Sequence, residues 1–164
     1  MVLLFSMNVF ADLSNYIYPY SKYPSHSNNG TVGLIQMPTA RLMPEGSVAF
    51  NFSNVDPYQR GSIIGTPFNW FEASYQYTDV DNALYSLSPE FSGDQTYKDK
   101  SFDAKFLLLK ESNYLPAVAF GARDLAGTGV FSAEYIVASK RFNNLDFTLG
   151  MGWGTFSDNG FKNP

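Results

Sequence analysis

Phe131-Ser132-Ala133-Glu134-Tyr135-Ile136-Val137-Ala138-Ser139-Lys140 and Leu145-Asp146-Phe147-Thr148-Leu149-Gly150-Met151-Gly152-Trp153 are the stretches that decide the fold. In the second, large apolar residues (Leu145, Phe147, Leu149, Met151, Trp153) alternate with acid, hydroxyl and glycine. A period of two is the mark of a strand with one apolar face. In the first, Phe131, Ala133, Tyr135 and Val137 oppose Ser132, Glu134, Ile136, Ala138 and Lys140. The intervening Phe142-Asn143-Asn144 reads as a three-residue hairpin link with an Asn in the left-handed position.

Working outward, the same alternation recurs. Val48, Phe50 and Phe52 oppose Ala49, Asn51 and Ser53; Phe71, Ala73, Tyr75 and Tyr77 oppose Glu72, Ser74, Gln76 and Thr78. Phe102, Ala104, Phe106 and Leu108 oppose Asp103, Lys105, Leu107 and Leu109, and Val118, Phe120 and Ala122 oppose Ala117, Ala119, Gly121 and Arg123. Gln59 to Thr66 is a weaker strand candidate closed by Pro67, and residues 79–100 read as one long polar loop. No window carries a helical stripe, and no apolar run reaches the length of about 18 residues that a membrane helix needs.

The minority face holds charge, glycine and small hydroxyls while the other holds aromatics. With 15 Phe, 11 Tyr and 2 Trp in 164 residues and a mean hydropathy of only −0.18, the two characters must lie on separate faces. An apolar outside around a polar inside is the pattern of an antiparallel up-and-down transmembrane β-barrel. Long and short links alternate along the chain, as they do between the two rims of such barrels. A secreted β-sandwich that buries its aromatics is the alternative.

Facing residues must share a side of the sheet. A five-residue link, 111–115, then sets Asp103 opposite Arg123, and the Asn link sets Lys140 opposite Asp146. Both pairs join opposite charges. A four-residue link, 126–129, places Glu134 between Gly121 and Gly152, diagonal to Arg123. Glu134, Arg123, Asp103, Lys140, Asp146 and Glu72 are therefore the expected polar contacts of the lumen. They can hydrogen-bond saccharide hydroxyls or form an ion-pair ladder that satisfies charges inside the barrel, and the ladder is the preferred reading. A glycosidase pair would need two carboxyls at a set separation, which no sequence spacing here supplies.

Before the strands, residues 2–10 are mostly apolar and end in Val9-Phe10-Ala11, so 1–11 read as the remnant of a signal peptide. Residues 12–46 form an irregular segment rich in Tyr, Ser, Asn and Pro, and 47–164 form the barrel portion. The absence of cysteine excludes disulfides, thiolate metal sites and cysteine nucleophiles within these residues, and the single His26 needs no special role. A net charge of −4 without a basic run argues against nucleic-acid binding. Asp79, Asp81, Asp94 and Asp99 lack a Ca²⁺-loop spacing, and Gly150 to Gly154 sit in a strand, so neither metal nor cofactor is expected. Trp70 and Trp153 fall at strand ends as interface-girdle residues.

Four strings, GLIQMPTARLMPEG (33–46), QRGSIIGTPFNWFEASYQYTD (59–79), YKDKSFDAKFLLLKE (97–111) and FGARDLAGTGVFSAEYIVASKR (120–141), resemble the N-terminal part of the YjbH-like outer-membrane proteins of exopolysaccharide and group 4 capsule operons. The resemblance implies a bacterial outer-membrane location in contact with lipid, and a non-enzymatic part in polysaccharide production or export. Polysaccharide and other export-operon proteins are the partners it implies. A secreted β-rich carbohydrate-binding module is the competing function. Members of that family are commonly lipoproteins and considerably longer, whereas these residues include no cysteine. About seven strands are readable, fewer than the even count of eight or more in a bacterial barrel, so an incomplete barrel is expected.

Overall fold

The alternating stretches form strands because β-branched and aromatic residues on one face and small polar residues on the other suit a sheet with two different surroundings. A computed structural model describes residues 24–157. The expected signal remnant, 1–11, lies outside the described residues. Two short strands come first, β1 (Gly33–Leu34) and β2 (Met37–Pro38), paired as a small hairpin. Seven longer ones follow: β3 (Ser47–Val55), β4 (Tyr58–Phe68), β5 (Phe71–Leu84), β6 (Thr96–Leu109), β7 (Ala117–Gly127), β8 (Ala133–Phe142) and β9 (Leu145–Gly152). Each pairs antiparallel with the next, and the sheet curls into a half-barrel with β3 and β9 at its edges. Among the described residues no helix is long and apolar enough to cross a membrane.

Several strands exceed their expected length, β4, β5 and β6 among them. The Gln59–Thr66 strand spans Tyr58–Phe68; Gly61 and Gly65 thin its outward face, which is why its periodicity is faint. β5 and β6 run to Leu84 and from Thr96, so the connection shrinks to residues 85–95 with a single helical turn at Pro89–Ser92. These strand ends mix acidic and amide residues with Val80, Ala83 and Leu84 and carry no run of large apolar residues at alternate positions. They are held by the Lys98–Asp79 ion pair at 2.9 Å and by Thr96 donating to Asp79.

The expected register between β6 and β7 holds from Ala104↔Ala122 to Leu107↔Ala119 and breaks at both ends. Beyond Ala104, two extra β7 residues are accommodated before Phe102 meets Ala126, with Asp124 in the left-handed region at φ 50°. Asp103 therefore does not face Arg123. Its Oδ1 accepts the Asp124 amide at 2.9 Å.

The β8 and β9 registers each lie one residue from expectation. The link is two residues, Asn143 (φ 51°) and Asn144, with Phe142 opposite Leu145. Lys140 accordingly faces Phe147, and Asp146 faces Arg141. Across the other side, Ala122 meets Glu134 and Gly121 meets Tyr135. Since side chains alternate with a period of two, this one-residue slip turns β8 over. Tyr135, Val137 and Ser139 point inward and are buried, while Glu134 and Ile136 are exposed on the outside.

The inner face is covered by residues 24–46, which lie along the concave side of the sheet. Two apolar clusters seat them: Ala40 with Ala117, Ala119, Tyr135 and Val137, and Val32 with Met43 and Ile64. Beside these clusters the wall is polar, with Ser62, Glu72, Ser74, Gln76, Thr78, Asp99, Ser101, Asp103 and Lys105 all buried.

Candidate functional site

The centre of the inner wall is a pair of cross-strand partners, Glu72 on β5 and Lys105 on β6. Their side chains are 0% exposed and 2.9 Å apart. Both also grip one residue of the covering segment. The Val32 amide donates to Glu72 Oε1 at 3.1 Å, and Lys105 Nζ donates to the Val32 carbonyl at 3.0 Å. Removing two charges from water costs several kcal/mol per ion, recovered only with good geometry and further hydrogen bonds. Val32 supplies those bonds, so the segment is a structural member of the ion pair.

A second cluster sits at the rim formed by the short links 110–116 and 143–144. Arg41 donates to both carboxylate oxygens of Asp146, at 2.8 and 3.3 Å, and to Glu111. Glu111 also accepts the Arg141 amide at 2.8 Å and lies 3.5 Å from Lys140. Lys140 itself reaches the carbonyls of Ser112 and Asn113 in the neighbouring link. Burial opposes ionisation of Glu111, but the Arg141 amide, Arg41 and Lys140 outweigh it and hold the carboxyl below its ordinary value. Deeper in, Ala40 donates its amide to Ser139 Oγ at 2.9 Å, and Ser139 in turn bonds Thr148.

At the opposite rim, two guanidinium groups lie against rings. Arg60 sits 4.3 Å above Tyr58, and Arg123 sits 4.4 Å above Phe156 while donating to the Gln36 carbonyl at 3.2 Å. The glycine-lined clearing expected around Glu134 exists, but Tyr135 fills it. A Cβ added at Gly121 would strike the Tyr135 ring, and one at Gly152 would strike Phe156.

Of the expected lumen residues, Glu72, Asp103 and Arg123 stand on the inner face, and each is engaged by the segment or by the β7 irregularity. Lys140 and Asp146 belong to the rim cluster with separate partners, and Glu134 is outside. Lys105, Arg41, Glu111, Arg60, Tyr135 and Val32 are the residues that sequence reasoning did not single out. Lys105 had a signal, since the register over Ala104 to Leu107 already places it on the polar face. Arg41 and Val32 had none, because their partners are 105 and 40 positions away. Among the described residues no three His, Cys, Asp or Glu side chains are grouped to hold a metal ion.

The family model described as "Exopolysaccharide biosynthesis protein YbjH" matches residues 25–164. A curated relative, "Uncharacterized lipoprotein YjbH" of Escherichia coli (strain K12), is 51% identical over 148 residues, covering 90% of this chain and 21% of that protein. The chain thus spans about a fifth of the length of the relative it matches. No solved structure matches.

Proposed function

Because the chain belongs to the YjbH exopolysaccharide biosynthesis family, we propose that it is part of an outer-membrane β-barrel that assists polysaccharide export or surface assembly without catalysing a reaction. The observation that carries this reading is the outward face of the sheet. Phe50 on β3 and Leu149 on β9 are 80% and 81% exposed, and Phe52, Phe102, Leu108 and Met151 are exposed between them. A soluble monomer rarely leaves so extended an apolar surface in water. Lipid would cover it, and strands of 8 to 14 residues are compatible with a tilted crossing, which takes about 9–11 residues.

Aromatic placement supports the same reading. Trp70 stacks on Phe68 with ring centres 5.4 Å apart and lies against Phe71 and Phe106, all at the rim of the short links. Such a group suits the water–lipid boundary, where rings meet headgroups. The description of the Escherichia coli relative as a lipoprotein agrees with a place in the cell envelope. A non-catalytic role is supported by Glu72, whose carboxylate is enclosed between Lys105 and Val32 and is closed to water.

The test is fractionation of the full-length protein, with surface polysaccharide measured in a deletion strain. Recovery in the outer membrane with heat-modifiable gel mobility, and reduced surface polysaccharide on deletion, are the expected results. Recovery as a soluble periplasmic monomer would return the reading to a secreted carbohydrate-binding module.

A further inference from the structure

Building on the barrel reading above, we propose that residues 24–46 are a permanently docked inner plug, which keeps saccharide off this wall and stays in place while polymer is produced. A released gate needs few attachments, whereas this segment is tied to every strand of the sheet. Asn51 and Ser53 of β3 donate to the Ser27 and Asn28 carbonyls at 3.2 and 2.8 Å. On β4, Ser62 lies against Gly30; on β5 and β6, Glu72 and Lys105 hold Val32. On β7, Arg123 holds the Gln36 carbonyl; on β8, Ser139 holds the Ala40 amide; on β9, Asp146 holds Arg41.

The central attachment is the costliest to undo. Val32 is 0% exposed; its amide donates to the Glu72 carboxylate and its carbonyl accepts Lys105, both charge-assisted bonds of the stronger class, beside a longer bond from the Thr39 amide at 3.4 Å. Packing agrees with permanence. Gly30 (φ +88°) approaches Ser62 so closely that a Cβ there would lie 2.6 Å from Ser62 Cβ. A space of about 180 Å³ lies beside Met37 and Pro38 against Tyr135, Val137, Gly150 and Phe156, whereas at the polar part of the wall the space bounded by Asn29, Gln76, Asp103 and Arg123 is about 40 Å³. The latter is room for about one water molecule, and a pyranose ring cannot enter it.

Paired cysteines test this, since these 164 residues contain none of their own. Ala40→Cys with Ser139→Cys, and separately Asn28→Cys with Ser53→Cys, are introduced into the full-length protein, oxidised in intact cells and run on non-reducing gels. Cross-linking at both sites with surface polysaccharide unchanged is the expected result. Loss of polysaccharide on oxidation, restored by reductant at constant barrel abundance, would show that the segment must move and would overturn the proposal. Failure of both pairs to cross-link in a protein that retains heat-modifiable mobility would overturn it as well. Efficient cross-linking in a protein recovered as soluble would instead leave the docked segment standing and remove the membrane reading.

Discussion

Lys105→Met removes one charge from the centre of the wall and keeps the unbranched stem, so packing is nearly conserved. What it leaves behind is the Glu72 carboxylate, 0% exposed and without its counter-charge though still accepting the Val32 amide, and the Val32 carbonyl, left with only the longer Thr39 N–H bond at 3.4 Å. Stranding a buried charge costs about 3–5 kcal/mol, and the weakened Val32 acceptor adds at most about 1–3 kcal/mol. That is a large share of the roughly 5–15 kcal/mol by which a folded protein is stable. Glu72→Gln strands Lys105 instead, again at about 3–5 kcal/mol, although the amide oxygen still accepts the Val32 N–H. The double variant carries neither charge and leaves the Val32 carbonyl with only its longer Thr39 bond, a loss of at most about 1–3 kcal/mol.

The double variant should therefore be more stable than either single variant, with a favourable coupling at or above the upper end of the usual range of about 0.5–3 kcal/mol. Urea unfolding of the full-length protein in detergent micelles, followed by tryptophan fluorescence and by the heat-modifiable gel band, measures all four corners of the cycle. Single variants within about 0.5 kcal/mol of wild type, or simple additivity, would mean that water reaches the pair. The segment would then not enclose it.

Gly121→Leu should cost about 1–3 kcal/mol by overpacking against Tyr135, and Tyr135→Ala should relieve part of that loss in the double variant. Leu149→Arg places a charge on the outward face and should reduce barrel stability in vesicles by about 2–4 kcal/mol if Leu149 lies near the bilayer midplane, whereas no loss would count against lipid there. Glu134→Gln, on the exposed side of β8, should leave surface polysaccharide and barrel abundance unchanged; a selective loss of polysaccharide would assign Glu134 a contact that the geometry does not. Glu111 has a folded-state pKa below its ordinary 4.5, so its stabilisation of the rim cluster is complete above the unfolded value and is lost as pH falls through the folded one. Protease cleavage within residues 24–46 should accordingly stay flat from neutral pH down to about pH 5 and rise in stronger acid; a rise beginning near pH 7 would assign the hold on Arg41 to a group other than Glu111.

Local alternation determined the all-β architecture, the outward aromatic face and the polar inward face of β3, β5, β6 and β7, because side-chain direction in a strand follows from parity alone. The core of the β6–β7 register was also legible, since its link length and the demand that like faces meet leave one solution from Ala104 to Leu107. Parity cannot supply turn geometry. Whether Asn143-Asn144 closes with two residues or three, and whether Asp124 takes a left-handed backbone, are settled by the packing of whole strands. One residue of error there exchanged Glu134 for Tyr135 in the space between Gly121 and Gly152. The tertiary structure alone decided what fills the concave side. Residues 24–46 show no period because their contacts are made one at a time, by backbone groups of Ser27, Asn28, Val32, Gln36 and Ala40, against side chains on strands up to 99 positions away. Hydrogen bonds from a main chain leave no trace in residue type, so the occupant of the wall becomes visible only when the sheet has curled around it.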